Sequence, residues 1–152
     1  MTDLRIEREV VIEAPMDVVW RTITEPEQIT QWFADRAELD ARPGGRGTFI
    51  FENEGANHVA PLVVEAAEAP KRLAFRWCQP AGEEPLPHNS TLVEFLLSAE
   101  GEERTRLRVT ESGLDAVLWP EDEKATFAED HREGWAVHTG RLVALFAGSR
   151  AR

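Results

Sequence analysis

The stretch Glu123–Phe146, EKATFAEDHREGWAVHTGRLVALF, lies near the C-terminus, contains no proline and decides the fold. Apolar or ring-bearing side chains recur in it every three or four residues, the spacing that places side chains on one face of an α-helix. They are Ala128, His131, Trp135, His138, Leu142 and Phe146. Charged side chains occupy the opposite side, which predicts a long helix with one face against a core and the other in water. At about 1.5 Å per residue such a helix can cross a whole small sheet.

The chain before this helix is mostly typical of β-strands. Residues 5–13 alternate between apolar and charged side chains, and Pro15 and Pro26 then open two short helices, the second predicted to run to about Phe33. Five or six further strands are predicted from alternating segments separated by turns; the segments are residues 36–40, 46–52, 59–67, 72–78, 91–98 and 104–111. An antiparallel sheet needs a cover for its dry face, and only the long helix is large enough to supply one. We therefore predict an α+β fold, a curved antiparallel sheet wrapped around the C-terminal helix, with two short helices after the first strand.

Length, charge and cysteine content exclude several classes of protein. The 152 residues fit one domain, residues 1–152, with an ordered part expected at about 4–147. The 17 Lys and Arg against 28 Asp and Glu give a net charge of −11, which argues against a nucleic-acid partner. No apolar run is long enough for a membrane span and the N-terminus lacks an export signal. With Cys78 as the single cysteine, we expect a protein of the cytoplasm, without internal disulfides.

Aromatic residues from several segments are expected to meet between the sheet and the long helix. A twisted sheet that grips one helix can leave a gap, and ring-bearing side chains would line it. The candidate ligand-binding residues are Trp32, Phe33, Phe49, Phe51, Phe75, Trp77, Phe95, His131, Trp135 and His138. The same rings could instead fill a closed core, and the spacing alone does not decide between the two. Likewise, Trp32 and Trp119 could face the cavity or a partner.

Motifs that carry catalytic chemistry are not found in the sequence. A G-x-S-x-G elbow, an H-E-x-x-H pair and paired cysteines are all absent. His131 and His138 lie two helical turns apart, which is too far to hold one metal together. We therefore expect no metal and no cofactor, and we favour a protein that is not an enzyme. If the chain is an enzyme, His131 is the residue expected to act as general acid or base.

Several short motifs, taken in order, resemble one known family. They are Ile12-Glu13-Ala14-Pro15, Val18-Val19-Trp20, Thr24-Glu25-Pro26-Glu27, Gln31-Trp32-Phe33, Pro43-Gly44-Gly45, Ala69-Pro70-Lys71-Arg72-Leu73, Phe75-Arg76-Trp77, Thr110-Glu111-Ser112-Gly113-Leu114 and Gly134-Trp135. Their order and spacing resemble the Hsp90-ATPase-activator-homologue-like family within the START/Bet v 1-like superfamily, over nearly the whole chain. The resemblance implies a helix-grip fold with a hydrophobic pocket, in a family whose members mostly bind apolar or aromatic small molecules.

Three functions are compatible with this resemblance. The leading hypothesis is a binding protein for a hydrophobic small molecule, aromatic or lipid-like, held between the sheet and the C-terminal helix. The second is a cyclase or aromatase type of enzyme that uses the same pocket, like the polyketide cyclase relatives. The third is an interaction module of the co-chaperone or dimerising type, which would use the acidic surface or an exposed Trp119. A chaperone is a possible partner, because the family takes its name from a co-chaperone. In general we expect a monomer or a homodimer. Fold alone does not carry chaperone activation over to this chain.

Overall fold

The structure, a computed structural model, describes residues 4–53 and 56–147. Its elements are, in chain order, β1 (Ile6–Ile12), α1 (Met16–Thr24), α2 (Pro26–Ile29), β2 (Arg36–Leu39), β3 (Arg46–Asn53), β4 (Ala56–Glu68), β5 (Arg72–Trp77), β6 (Thr91–Ala99), β7 (Thr105–Ser112), a 3-10 turn (Leu114–Ala116) and α3 (Glu121–Ala147). The residues after 147, which were expected to lie beyond the ordered part, fall outside the described residues.

The described strands form one antiparallel sheet in the order β1-β7-β6-β5-β4-β3-β2. Its register shifts between Val64 and Ala66 on β4, where a bulge interrupts the pairing with β5. A bulge bends its strand and increases the local twist, so it helps the sheet to curve. The predicted α+β helix-grip fold is confirmed: a curved seven-stranded sheet holds the long C-terminal helix.

Strand periodicity decides which side chains face α3. On β7 every second residue is buried, namely Thr105, Leu107, Val109 and Glu111. On β6 the corresponding set is Thr91, Val93, Phe95 and Leu97, and on β5 it includes Leu73, Phe75 and Trp77. The buried residues of α3 are Lys124, Ala128, Trp135, Thr139 and Leu142. One face of the sheet and one stripe of the helix thus enclose the main core, as the two periodicities require.

Some element boundaries differ from those predicted. Helix α3 begins at Glu121 rather than Glu123. The start of a helix accommodates a proline such as Pro120, and the acidic side chains of the first turn interact favourably with the positive end of the helix dipole. Helix α2 ends at Ile29 rather than near Phe33, and turns carry the chain from there to β2. Strand β5 ends at Trp77, so Cys78, predicted to lie in the strand, instead follows it with a φ of 70°.

A helix must be both long and apolar to span a membrane. Helix α3 is long, but charged side chains are distributed along it. Among the described residues, no helix combines the length and the apolar character needed to cross a bilayer.

Candidate functional site

A carboxylate, that of Glu111, is buried where β7 faces α3. Its residue is only 2% exposed. Oε2 accepts hydrogen bonds from the indole Nε1 of Trp77 at 2.9 Å and from the hydroxyl of Thr91 at 2.6 Å. Oε1 accepts from Nε1 of Trp135 at 2.8 Å and lies 2.8 Å from Nδ1 of His131. Four partners therefore occupy the acceptor positions of one carboxylate, which satisfies a group that is costly to bury.

The environment of Glu111 keeps this carboxyl ionised. Burial raises its pKa, but the hydrogen bond and charge of His131, together with the hydrogen bonds from Thr91 and Trp135, outweigh burial, so that the pKa is lowered overall. An ionised carboxylate can only accept hydrogen bonds. The 2.8 Å contact therefore has His131 as the donor, and its Nδ1 carries the proton.

His131 lies between this buried carboxylate and solvent. Its imidazole stacks on the ring of Phe127, with centroids 3.7 Å apart and planes inclined by 20°, and the ring of Trp77 approaches it at 81°. The side chain is 23% exposed. Within the described part of the chain, Nε2 of His131 forms no hydrogen bond. Packing and Glu111 thus fix the orientation of the ring and leave one nitrogen available.

Beside this pair, a cleft of about 770 Å³ opens between α3, the turn after α2 and the strands β3 to β5. The lining residues from the turn are Thr30, Gln31, Trp32, Phe33, Ala34 and Asp35. Those from the sheet side are Phe51, Glu52, His58, Ala60, Trp77 and Cys78, and those from α3 are Asp130, His131, Glu133, Gly134, Trp135, Val137, His138 and Arg141. The volume lies within the range of small-molecule sites.

Phe33 is the aromatic side chain that connects the helix side of the cleft with the sheet side. Its ring is nearly parallel to that of Trp135, at 9° and 5.3 Å, and it stacks on Trp77 at 5.8 Å. The rings of Phe49 and Phe51 meet it edge-on, each at 5.2 Å. Such offset and edge-on pairs are the favourable arrangements of aromatic rings. Phe33 is buried, so it packs as core and lines the cleft at once.

The structure divides the predicted ligand-binding residues into two groups. Those that line the cleft are Trp32, Phe33, Phe51, Trp77, His131, Trp135 and His138. Phe49, Phe75 and Phe95 are buried behind them and do not line it. Core and cavity, which the sequence left as alternatives, are therefore both present, because the rings of the inner layer pack against those that line the cleft.

His138 is the second imidazole of the cleft and differs in environment from His131. Burial lowers its pKa, as does the charge of Arg141, although the carbonyl of Trp32 and the charge of Asp35 act in the opposite direction. Its Nδ1 lies 3.4 Å from the carbonyl oxygen of Trp32, and its ring meets that of Phe33 edge-on at 4.9 Å. His138 is therefore neutral near pH 7 and contributes a mainly aromatic surface.

Cys78 also lines the cleft, and its environment disfavours nucleophilic chemistry. Burial raises the pKa of the thiol well above its usual value, and the nearby charge of Glu111 raises it further. Since the thiolate is the reactive form, this setting makes Cys78 an unreactive thiol.

Sequence reasoning missed Glu111 and Thr91 as site residues. The signal was nevertheless present, because Glu111 continues the alternation of Leu107 and Val109 toward the helix. Extending that period by one step places a carboxylate on the dry face of the sheet, where it needs partners. The indole groups of Trp77 and Trp135 are those partners, a role that their apolar surface did not suggest.

Two further expectations concern Trp119 and metal ions. Trp119 is half-buried against Phe127, with ring centroids 5.4 Å apart, and it does not line the cleft. The ring on which an interaction module would have relied is therefore partly covered. Across residues 4–53 and 56–147, no three His, Cys, Asp or Glu side chains come together as a metal-binding group.

A curved antiparallel sheet around a C-terminal helix, with a cleft between them, defines a helix-grip protein. The chain belongs to the family described as Activator of Hsp90 ATPase homolog 1-like protein, whose model matches residues 13–147. This confirms the family suggested by the sequence motifs. A comparison with curated proteins gives no match.

Solved structures show the same fold. Protein MLL2253 from Mesorhizobium loti is 24% identical, with a TM-score of 0.73, and the match covers 93% of this chain and 95% of that one. DynU16, a protein of the dynemicin biosynthetic locus, is 26% identical, with a TM-score of 0.70, over 94% of this chain and 47% of that one. The Aha1 dimer from Colwellia psychrerythraea is 21% identical, with a TM-score of 0.67, over 97% and 96%.

Proposed function

We propose that this protein binds a hydrophobic small molecule, aromatic or lipid-like, in the cleft between the sheet and α3. The observation that carries the proposal is the cleft itself, about 770 Å³ in volume and lined by Phe33, Trp77 and Trp135. Pockets of this size with aromatic walls and a few polar groups are typical of small-molecule sites. The similarity to DynU16, which comes from a biosynthetic locus, supports a small organic molecule as the ligand.

Gly134 gives this proposal a specific structural basis. It lies in the middle of α3, where a glycine destabilises a helix by roughly 1 kcal/mol relative to alanine. It lines the cleft, and a Cβ built on it meets no atom within 4 Å. Packing against the sheet therefore does not require a glycine here. The position keeps space open in the cleft, which is what a bound molecule needs.

Replacing Gly134 by leucine is expected to fill part of the cleft and to weaken ligand binding at least about ten-fold, equivalent to roughly 1.4 kcal/mol. Folding stability should rise slightly, because leucine is the better helix former. Native mass spectrometry with a panel of flat aromatic compounds and fatty acids first identifies a ligand by its mass. Isothermal titration calorimetry of wild type and Gly134→Leu then measures the change in affinity.

Gly140→Leu is the matched control for this experiment. Gly140 lies on the same helix, is exposed and has no atom within 4 Å of a built Cβ, but it does not line the cleft. Its replacement should leave affinity unchanged. Equal affinities for wild type and both variants would place the ligand elsewhere, and the absence of any adduct across the panel would count against the binding function.

A cyclase-like enzyme is the second candidate, and the Glu111–His131 pair is the observation that favours it. A carboxylate that fixes the tautomer of a histidine, with the second nitrogen left free, is a common arrangement for general acid–base catalysis. In this reading His131→Gln abolishes turnover of a bound substrate while the cleft still binds it. Unchanged turnover in that variant would remove His131 from any catalytic role.

A further inference from the structure

The hydrogen bonds of the Glu111–His131 pair leave one group directed away from the buried carboxylate. Glu111 uses its two oxygens for four partners, and Nδ1 of His131 is one of them. The remaining nitrogen, Nε2, lies on the other side of a ring that lines the cleft. It has no hydrogen-bond partner in the part of the chain that the structure describes. A ligand atom in the cleft can therefore pair with it.

The charge of the Glu111–His131 pair indicates which kind of ligand atom pairs with Nε2. Three of the four partners of Glu111, namely Trp77, Thr91 and Trp135, are neutral donors. His131 is the one partner that can carry a positive charge. A buried carboxylate favours a neighbouring cation, because an uncompensated buried charge is costly. In the imidazolium form both ring nitrogens donate, so Nε2 can then donate to an anionic ligand atom in the cleft.

Resting on the proposed function, we propose that the ligand is an aromatic carboxylic acid whose carboxylate accepts a hydrogen bond from Nε2 of His131. The aromatic part of the ligand lies beside Phe33 and Trp135, which line the same cleft as His131. Glu111 acts as a positioning residue, since it holds the imidazole through Nδ1 and does not line the cleft. Charge-assisted hydrogen bonds of this kind are about twice as strong as neutral ones.

The rim of the cleft carries charges that compete with this assignment. Four exposed carboxylates line it, those of Asp35, Glu52, Asp130 and Glu133, and one exposed guanidinium, that of Arg141. Exposed charges are screened by water and salt, whereas the buried Glu111 acts on His131 at 2.8 Å. The Glu111–His131 pair should therefore decide which ligand charge is preferred. An experiment must separate this from two alternatives at the rim, recognition of a cation by the carboxylates and recognition of an acid by Arg141.

The experiment compares three probes that share one ring system, with the full chain at pH 7. They are 2-naphthoate, 2-naphthylmethanol and 2-naphthylmethylammonium, and their affinities are measured by isothermal titration calorimetry. The acid is expected to bind at least about ten-fold more tightly than the alcohol, as a charge-assisted hydrogen bond implies. The ammonium compound should bind most weakly.

His131→Asn is the decisive variant, because the amide nitrogen of asparagine can replace Nδ1 toward Glu111 while nothing replaces Nε2. It should lose the preference for the acid and retain the affinity for the alcohol. His131→Gln places an amide nitrogen near the former Nε2 and should keep part of the preference. Arg141→Gln is the control for the rim and should keep all of it.

The outcomes distinguish failure of this inference alone from failure of the function on which it rests. Equal binding of acid and alcohol by the wild type would overturn the inference and leave the binding function intact. Tightest binding of the ammonium compound would do the same and assign recognition to the rim carboxylates. Loss of the preference in Arg141→Gln but not in His131→Asn would assign it to Arg141. If no probe binds, the proposed function fails together with the inference.

Discussion

Replacing Glu111 by leucine should lower the free energy of unfolding by about 3–5 kcal/mol, the range for removal of one member of a buried charge pair. The leucine side chain fills much of the same volume but accepts no hydrogen bond. The indole groups of Trp77 and Trp135, the hydroxyl of Thr91 and Nδ1 of His131 then lose their acceptor inside the protein. Urea denaturation followed by tryptophan fluorescence measures the loss.

The control is Glu94→Gln on β6. Glu94 pairs with Arg72 and is 25% exposed, so its replacement should cost less than about 1 kcal/mol. A similar small loss for Glu111→Leu would mean that the four hydrogen bonds do not stabilise the fold.

The effect of Glu111 should also depend on pH. Its pKa is lowered in the folded protein from 4.5, so the carboxylate stabilises the fold above the unfolded value. That contribution is lost as the pH falls through the folded pKa. Glu111→Gln has no carboxylate whose contribution can be lost in acid. The difference in the free energy of unfolding between wild type and this variant should therefore become smaller as the pH falls. A difference that stays constant from pH 7 to pH 3 would contradict a lowered pKa.

Replacing Phe33 by alanine is the second large expected effect, a loss of about 3–5 kcal/mol, as for other buried phenylalanines. The ring of Phe33 contacts those of Trp77, from the sheet, and Trp135, from α3. Removal of the ring leaves a void that joins the cleft. Compared with wild type, Phe33→Ala should bind larger ligands, which fill the void, and should bind small ligands more weakly. Denaturation and calorimetry measure the two consequences separately.

Phe33→Leu keeps most of the volume and serves as the control, with an expected loss below about 1.5 kcal/mol. If Phe33→Ala were as stable as Phe33→Leu, the ring would be a mobile gate at the entrance rather than a packed part of the core.

The fold was predictable because it has two periodicities that are independent of each other. Alternation in the strands and the three-and-four spacing of α3 each assign a dry face, and the two faces fit only one another. Element ends were less predictable. The backbone N–H of Phe33 donates a hydrogen bond to the carbonyl of Ile29, the i to i−4 spacing of a helix, yet α2 ends at Ile29. Tertiary packing of Trp32 and Phe33 overrides the local preference for helix there.

The site was predictable only in its apolar part. Aromatic spacing placed Phe33, Trp77 and Trp135 together, but the depth at which Phe75 and Phe95 lie behind them depends on sheet curvature, which the sequence pattern does not define. The polar part was missed because a glutamate near a strand end is usually solvated. Only the pairing of that carboxylate with donors from β5, β6 and α3 makes it part of the site.

The most direct test of ligand binding in the cleft uses the five tryptophans in a ¹H–¹⁵N correlation spectrum, titrated with 2-naphthoate. The indole signals are assigned by single Trp→Phe variants. The proposed site predicts shifts for Trp32, Trp77 and Trp135, which line the cleft, and unchanged signals for Trp20 and Trp119, which do not. Shifts confined to Trp20 or Trp119, or no shift at saturating ligand, would contradict it.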